Sequence, residues 1–132
     1  QLWMPYGPEN EPPPNELEAL TLLRHAYDMG IDYFDTAPDY GSAEYLVGKT
    51  FKDFKTRPLI ATKISLPKST NTLEIKQHIV NQIETSRRQL YSEKLPIVFL
   101  HSIVGDIFHP PLFDVLYEVK EEGFVVYLGV TT

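Results

Sequence analysis

Four side chains able to move protons or hold charge fall where successive predicted strands end. Asp35 lies in I31-D-Y-F-D-T-A37 and Tyr40 just beyond it; Lys63 closes L59-I-A-T-K63 and His101 closes I97-V-F-L-H101. A carboxylate, a phenol, an ammonium and an imidazole are an acid–base set. A strand followed by a loop and a helix, repeated with a reactive group at each carboxyl end, is how a parallel barrel builds its catalytic mouth. The arrangement points to an enzyme.

Each of these residues also has an ordinary structural role. Asp35 could cap the turn before Pro38. Tyr40 is one of eight tyrosines and could pack its ring while wetting its hydroxyl. Lys63 could reach solvent from a strand end, and a histidine after an apolar run is often satisfied by backbone partners. It is their shared placement at one face that favours a site. His25, His78 and His109 belong to helices or a loop without matching partners and read as structural. No histidine and carboxylate spacing suits a metal, so none is expected.

The elements that must position this set follow from pattern. Gln1–Gly7 could be the tail of a strand, but the prolines at 12–14 cannot continue a ladder or a helix and read as a connector. Asn15 with Glu18 three residues on forms a capping-box signature. Leu17, Leu20, Leu23 and Tyr27 then recur at helical spacing until Gly30, predicting a helix over 15–29. The short apolar run 31–37 predicts a buried strand, broken by Pro38, Asp39 and Gly41. Ser42 is expected to cap a helix over 43–51. Arg57 and Pro58 reopen an extended segment, 60–64.

Leu73, Gln77, Ile79, Ile83 and Leu90 outline an amphipathic helix between Thr72 and Tyr91. Pro96 opens the next strand. Leu112, Val115, Leu116 and Val119 mark one face of a helix over 110–122, ended by Gly123, and 124–130 is the last strand. Alternation of this kind packs as right-handed parallel βαβ units. The expected class is α/β, with about four to five parallel strands alternating with helices.

Composition narrows the function. With 132 residues, 42% of them hydrophobic, one core and one domain over 1–132 are expected. A net charge of −6 without clustered Lys or Arg argues against a nucleic-acid surface. Cysteine is absent, excluding disulfides, a thiolate nucleophile and Cys-ligated metal. The most apolar stretch, Leu95 to Leu100, is far too short to cross a bilayer. Together these suggest a cytoplasmic protein with no nucleic-acid or membrane partner.

The stretch A26-Y-D-M-G-I-D-Y-F-D-T-A-P-D-Y-G-S-A-E44, followed by L46-V-G48, resembles the signature of the aldo-keto reductase family: an Asp-Thr-Ala tripeptide, then Tyr-Gly, then Glu and a downstream Gly. A61-T-K63, F99-L-H101 and E122-G-F-V-V-Y-L-G-V-T131 fall in the order that family uses. The resemblance implies the amino-terminal portion of a (β/α)8 TIM barrel that moves a hydride from NADPH to an aldehyde or ketone. It implies Tyr40 as the general acid, Lys63 and Asp35 as the groups that tune it, and His101 as the residue that orients the carbonyl. The chemistry is coherent, because an ammonium beside a phenol stabilises the phenolate left by proton transfer.

The resemblance further implies cofactor contacts from Asp35, Thr131 and Thr132, and substrate contacts from Trp3, Tyr40 and His101. Thr131 and Thr132 stand where the family has a Ser-Asn pair; Thr131 keeps the hydroxyl and Thr132 departs from the amide. No G-x-G-x-x-G follows a strand, so a Rossmann reading fails. A complete barrel of this kind takes about 250 residues, so the chain reads as a piece of a longer one, and open sheet edges invite self-association. Two rivals remain: a non-catalytic, reductase-like interaction or regulatory module, and a barrel aldolase or isomerase using Lys63 as a Schiff-base amine.

Overall fold

In the computed structural model the described residues are 12–101 and 110–131, so Trp3, His109 and Thr132 lie outside them. The helices are α1 (Glu16–Asp28), α2 (Ala43–Phe51), α3 (Thr72–Gln89) and α4 (Pro110–Glu121); the strands are β1 (Tyr33–Asp35), β2 (Leu59–Ile64), β3 (Leu95–Leu100) and β4 (Val125–Val130). All neighbouring strands run parallel in the order β1-β2-β3-β4. Strand and helix alternate along the chain, as the pattern predicted, and each consecutive pair of strands is joined by a crossover that contains a helix.

Local chemistry explains the boundaries. Asn15 caps α1 as expected: its side chain accepts from the Glu18 amide, and the Glu18 carboxylate accepts from the Asn15 amide. The strand expected over 31–37 shortens to Tyr33–Asp35, because the Ile31 amide still bonds back to Ala26 and the chain turns after Thr36, whose amide donates to Ala61. Ser42 stands at the start of α2 but makes no side-chain cap bond; its backbone, with ψ of 5°, departs from the extended conformation in which a capping side chain reaches the first free amides. Asn71 does cap α3, accepting from the Leu73 and Glu74 amides.

Two faces differ from the expected ones. On α3, Leu73 and Gln77 are exposed, and the buried stripe is Ile75, Ile79 and Ile83, continued by Leu90. Leu73 lies in the first turn of α3 and is 73% exposed. On α1, Leu17 is exposed and Ala19 joins Leu23 in the core.

Strand alternation splits the sheet into two surfaces. Ile60, Thr62, Ile64, Val98 and Leu100 are buried, and they alternate with residues that face the other way. Those others form cross-strand rows, Asp35–Ala61–Ile97–Tyr127 and Lys63–Phe99–Gly129. Helices and sheet bury a core centred on Phe51, Ile64, Ile79, Val98 and Val115. The opposite surface leaves Tyr33, Leu59 and Tyr127 partly exposed. One glycine is required by packing: a Cβ on Gly48 would lie 2.3 Å from the Gln89 carbonyl oxygen and 2.6 Å from the Leu90 Cα, so α2 meets the end of α3 backbone to backbone. Among the described residues no helix is long and apolar enough to cross a membrane.

Candidate active site

Parallel strands bring their carboxyl ends to one rim, and β1, β2, β3 and β4 deliver Asp35, Lys63, His101 and Thr131 to it in that order. Tyr40 arrives from a 3-10 turn, Pro38–Tyr40, held by its amide bonding to the Ala37 carbonyl at 3.0 Å. Gly41, with φ +59, then reverses the chain into α2; a side chain there would strain the turn that carries Tyr40.

Lys63 is the centre of the group. Only 6% of it is exposed, and its Nζ donates to Asp35 Oδ2 at 2.5 Å and to the Thr36 carbonyl at 3.1 Å. The same ammonium lies 5.0 Å from the centroid of the Tyr40 ring, within range of its π-face. Asp35 shares its carboxylate with water, its side chain being 45% exposed. His101 is placed by its amide bonding to the Ile64 carbonyl at 2.8 Å, and its ring meets Tyr40 edge to face, the centroids 6.4 Å apart at 90°.

The four expected residues are therefore contiguous: carboxylate to ammonium, ammonium to phenol ring, phenol ring to imidazole. Thr131 continues the rim, its amide and hydroxyl donating to the Leu100 carbonyl at 3.0 and 3.3 Å. Trp3 and Thr132, expected at the substrate and cofactor, lie outside the described residues. Among the described residues no group of His, Cys, Asp and Glu could hold a metal ion.

Three residues at or behind the site went unassigned by sequence. Asp39 Oδ2 lies 3.6 Å from His101 Nδ1; its only signal was its place beside Tyr40 in the P38-D-Y40 turn. Glu44 and Thr62 meet behind β2, the Thr62 hydroxyl donating to Glu44 Oε1 at 2.6 Å with both residues buried. Burial pushes the Glu44 carboxyl above its ordinary value. Thr62 draws it back, as does Ser86, whose hydroxyl approaches without full hydrogen-bond geometry. A glutamate in the apolar run A43-E44-Y45-L46-V47 and a threonine inside a buried strand were the available signals.

A cavity of about 460 Å³ opens beside Asp35, Thr36 and Tyr40, walled by Leu22, Leu23 and Phe34. A larger one, about 570 Å³ between α4 and the β3–β4 edge, touches none of the four acid–base residues. The rim offers a hydroxyl on β4, from Thr131, and a carboxylate on β1, from Asp35. Two of the three Lys63 donors are engaged, by Asp35 and by the Thr36 carbonyl.

Comparison with known proteins follows the same lines. The sequence matches the aldo/keto reductase family over residues 3–132. It is 28% identical to an aldo-keto reductase of Bacillus subtilis over 124 residues, covering 89% of this chain and 38% of that one. The holo form of an aldo-keto reductase from Bacillus halodurans superposes with a TM-score of 0.75 at 26% identity, covering 89% of this chain and 42% of that one. An aldo-keto reductase from Klebsiella pneumoniae in complex with NADPH superposes with a TM-score of 0.76 at 25% identity, covering 99% and 43%. The chain spans 36–41% of the length of the first curated relatives it matches.

Proposed function

Because the chain belongs to the aldo/keto reductase family, we propose that the protein reduces the carbonyl group of a small aldehyde or ketone with NADPH, Tyr40 acting as general acid, and that residues 1–132 form the amino-terminal portion of its barrel. The observation that carries this reading is the unbroken sequence of contacts from Asp35 through Lys63 and Tyr40 to His101. When bound, the nicotinamide supplies a hydride to the carbonyl carbon. The chain supplies the proton and the field.

Tyr40 gives its phenolic proton to the carbonyl oxygen as negative charge grows there, which completes the alcohol. The Lys63 ammonium, 5.0 Å from the centroid of the Tyr40 ring, places an offsetting charge beside the phenolate left behind. Asp35 and the Thr36 carbonyl keep that ammonium from turning to solvent. His101, edge-on to Tyr40, offers a second donor toward the same oxygen, so two donors converge where charge develops and not where it already exists.

The test is Tyr40→Phe in the full chain. Loss of a positioned acid should lower kcat/KM by about 10²–10⁴, with NADPH affinity by calorimetric titration unchanged. Rates near those of the parent would overturn the role of Tyr40, and failure of the parent to bind NADPH would overturn the cofactor.

A further inference from the structure

Glu44 sits four positions after Tyr40, in the first turn of α2, and Thr62 immediately precedes Lys63 on β2. Alternation along the strand sends the two neighbours to opposite faces: Lys63 to the rim with Asp35, Thr62 into the helix layer, where its hydroxyl meets the Glu44 carboxyl at 2.6 Å. We propose that Glu44 is a positioning residue for the Tyr40–Lys63 pair, locking the segment that carries the phenol to the strand that carries the ammonium; the proposal rests on the reductase reading above.

The geometry supports this in three ways. Thr62 and Lys63 share a peptide plane, so a bond that fixes the Thr62 side chain also limits rotation of the backbone from which Lys63 projects. On the other side only Gly41, Ser42 and Ala43 separate Tyr40 from Glu44, and Ser42 makes no side-chain cap bond that would secure the turn. A second anchor lies one turn along, where Gly48 brings α2 against the end of α3. Glu44 is therefore the polar tie nearest the phenol between α2 and the sheet.

A purely structural role accounts poorly for the residue type. Glu44 is 3% exposed, and a buried carboxyl resists desolvation where an apolar side chain of like volume would not. What the carboxyl adds over a leucine is direction: an acceptor that the Thr62 hydroxyl meets at 2.6 Å in this strand register.

The bond is broken from the strand by Thr62→Val and from the helix by Glu44→Leu, and it is kept by Glu44→Gln, whose amide oxygen still accepts. In the full chain we measure kcat, KM for NADPH, and the reductive methylation of Lys63 by formaldehyde and borohydride relative to Lys49 and Lys76. Either broken variant should lower kcat by about tenfold or more while KM for NADPH stays within about twofold. The same variants should raise labelling of Lys63 alone, and Glu44→Gln should restore both readouts. Unchanged relative labelling of Lys63 in the folded broken variants overturns the proposal, whatever the turnover. A selective rise in Lys63 labelling in a protein that reduces no carbonyl substrate leaves the positioning in place and sinks the reductase reading instead.

Discussion

Replacing Asp35 by Asn removes the negative charge that partners a buried ammonium and leaves the side chain's shape nearly intact. The cost is bracketed by exposure. Lys63 shows 7% of its side chain to solvent and Asp35 45%, so water solvates the carboxylate in part but hardly reaches the ammonium. Fully exposed pairs contribute about 0.2–1 kcal/mol, and orphaning one member of a fully buried pair costs about 3–5 kcal/mol. Lys63 keeps the Thr36 carbonyl at 3.1 Å and the face of the Tyr40 ring, which lowers the penalty further.

Asp35→Asn should therefore cost about 2 kcal/mol, between those limits. Lys63→Met should cost less, about 1 kcal/mol, since the remaining carboxylate is half solvated. The double variant, with no stranded charge, should come to about 1–2 kcal/mol in total and not the sum of the two. Urea unfolding of the four proteins at neutral pH measures this cycle, with salt weakening the coupling only slightly because the ammonium is screened from it. Strict additivity, or Asp35→Asn within about 0.5 kcal/mol of the parent, would refute the claim that Asp35 anchors Lys63.

Gly48→Ala sets the gain in helix propensity, about 1 kcal/mol, against a Cβ that meets backbone atoms of Gln89 and Leu90 inside contact distance. Backbone cannot give way as a side-chain tip can, so net destabilisation of about 1–3 kcal/mol is expected from urea midpoints; a variant as stable as the parent would show that α2 shifts freely. Glu44→Gln should flatten the acid-to-neutral stability profile. The Glu44 carboxyl is held above its ordinary value of 4.5 by burial, so its favourable contribution is full below that pH and is lost as pH rises through the folded value. Melting temperatures from pH 4 to pH 8 should show the variant gaining on the parent as pH rises; a constant offset would contradict the burial argument.

What the sequence made legible, and what it did not, divides by the range of the interactions. Asp35, Lys63 and His101 could be placed on one rim because each closes a strand, and parallel strands point their carboxyl ends the same way whatever their register. Tyr40 followed from the turn signals at Pro38 and Gly41. The capping box at Asn15 was readable for the same reason: all its atoms lie within one turn. Ser42 was misread as a cap because residue type alone does not reveal whether ψ directs the hydroxyl toward the free amides.

The contacts that escaped notice depend on register and helix phase. Thr62 lies beside Glu44 only because β2 pairs with β1 at Asp35↔Ala61 and with β3 at Lys63↔Phe99. A slip of one residue would carry Lys63 into the helix layer and Thr62 onto the rim. No local pattern distinguishes those alternatives, since 59–64 is buried on both faces apart from Leu59 and shows no polar alternation to orient it. The buried acid supplies the missing bias. With Thr62 facing Glu44 both polar groups are satisfied, while the slipped register would take Lys63 from Asp35 and the Thr36 carbonyl and turn Ile60 and Ile64 out of the core. On this argument the same bond that positions Lys63 for chemistry also selects the strand register, and Thr62→Val should weaken register choice before it weakens packing.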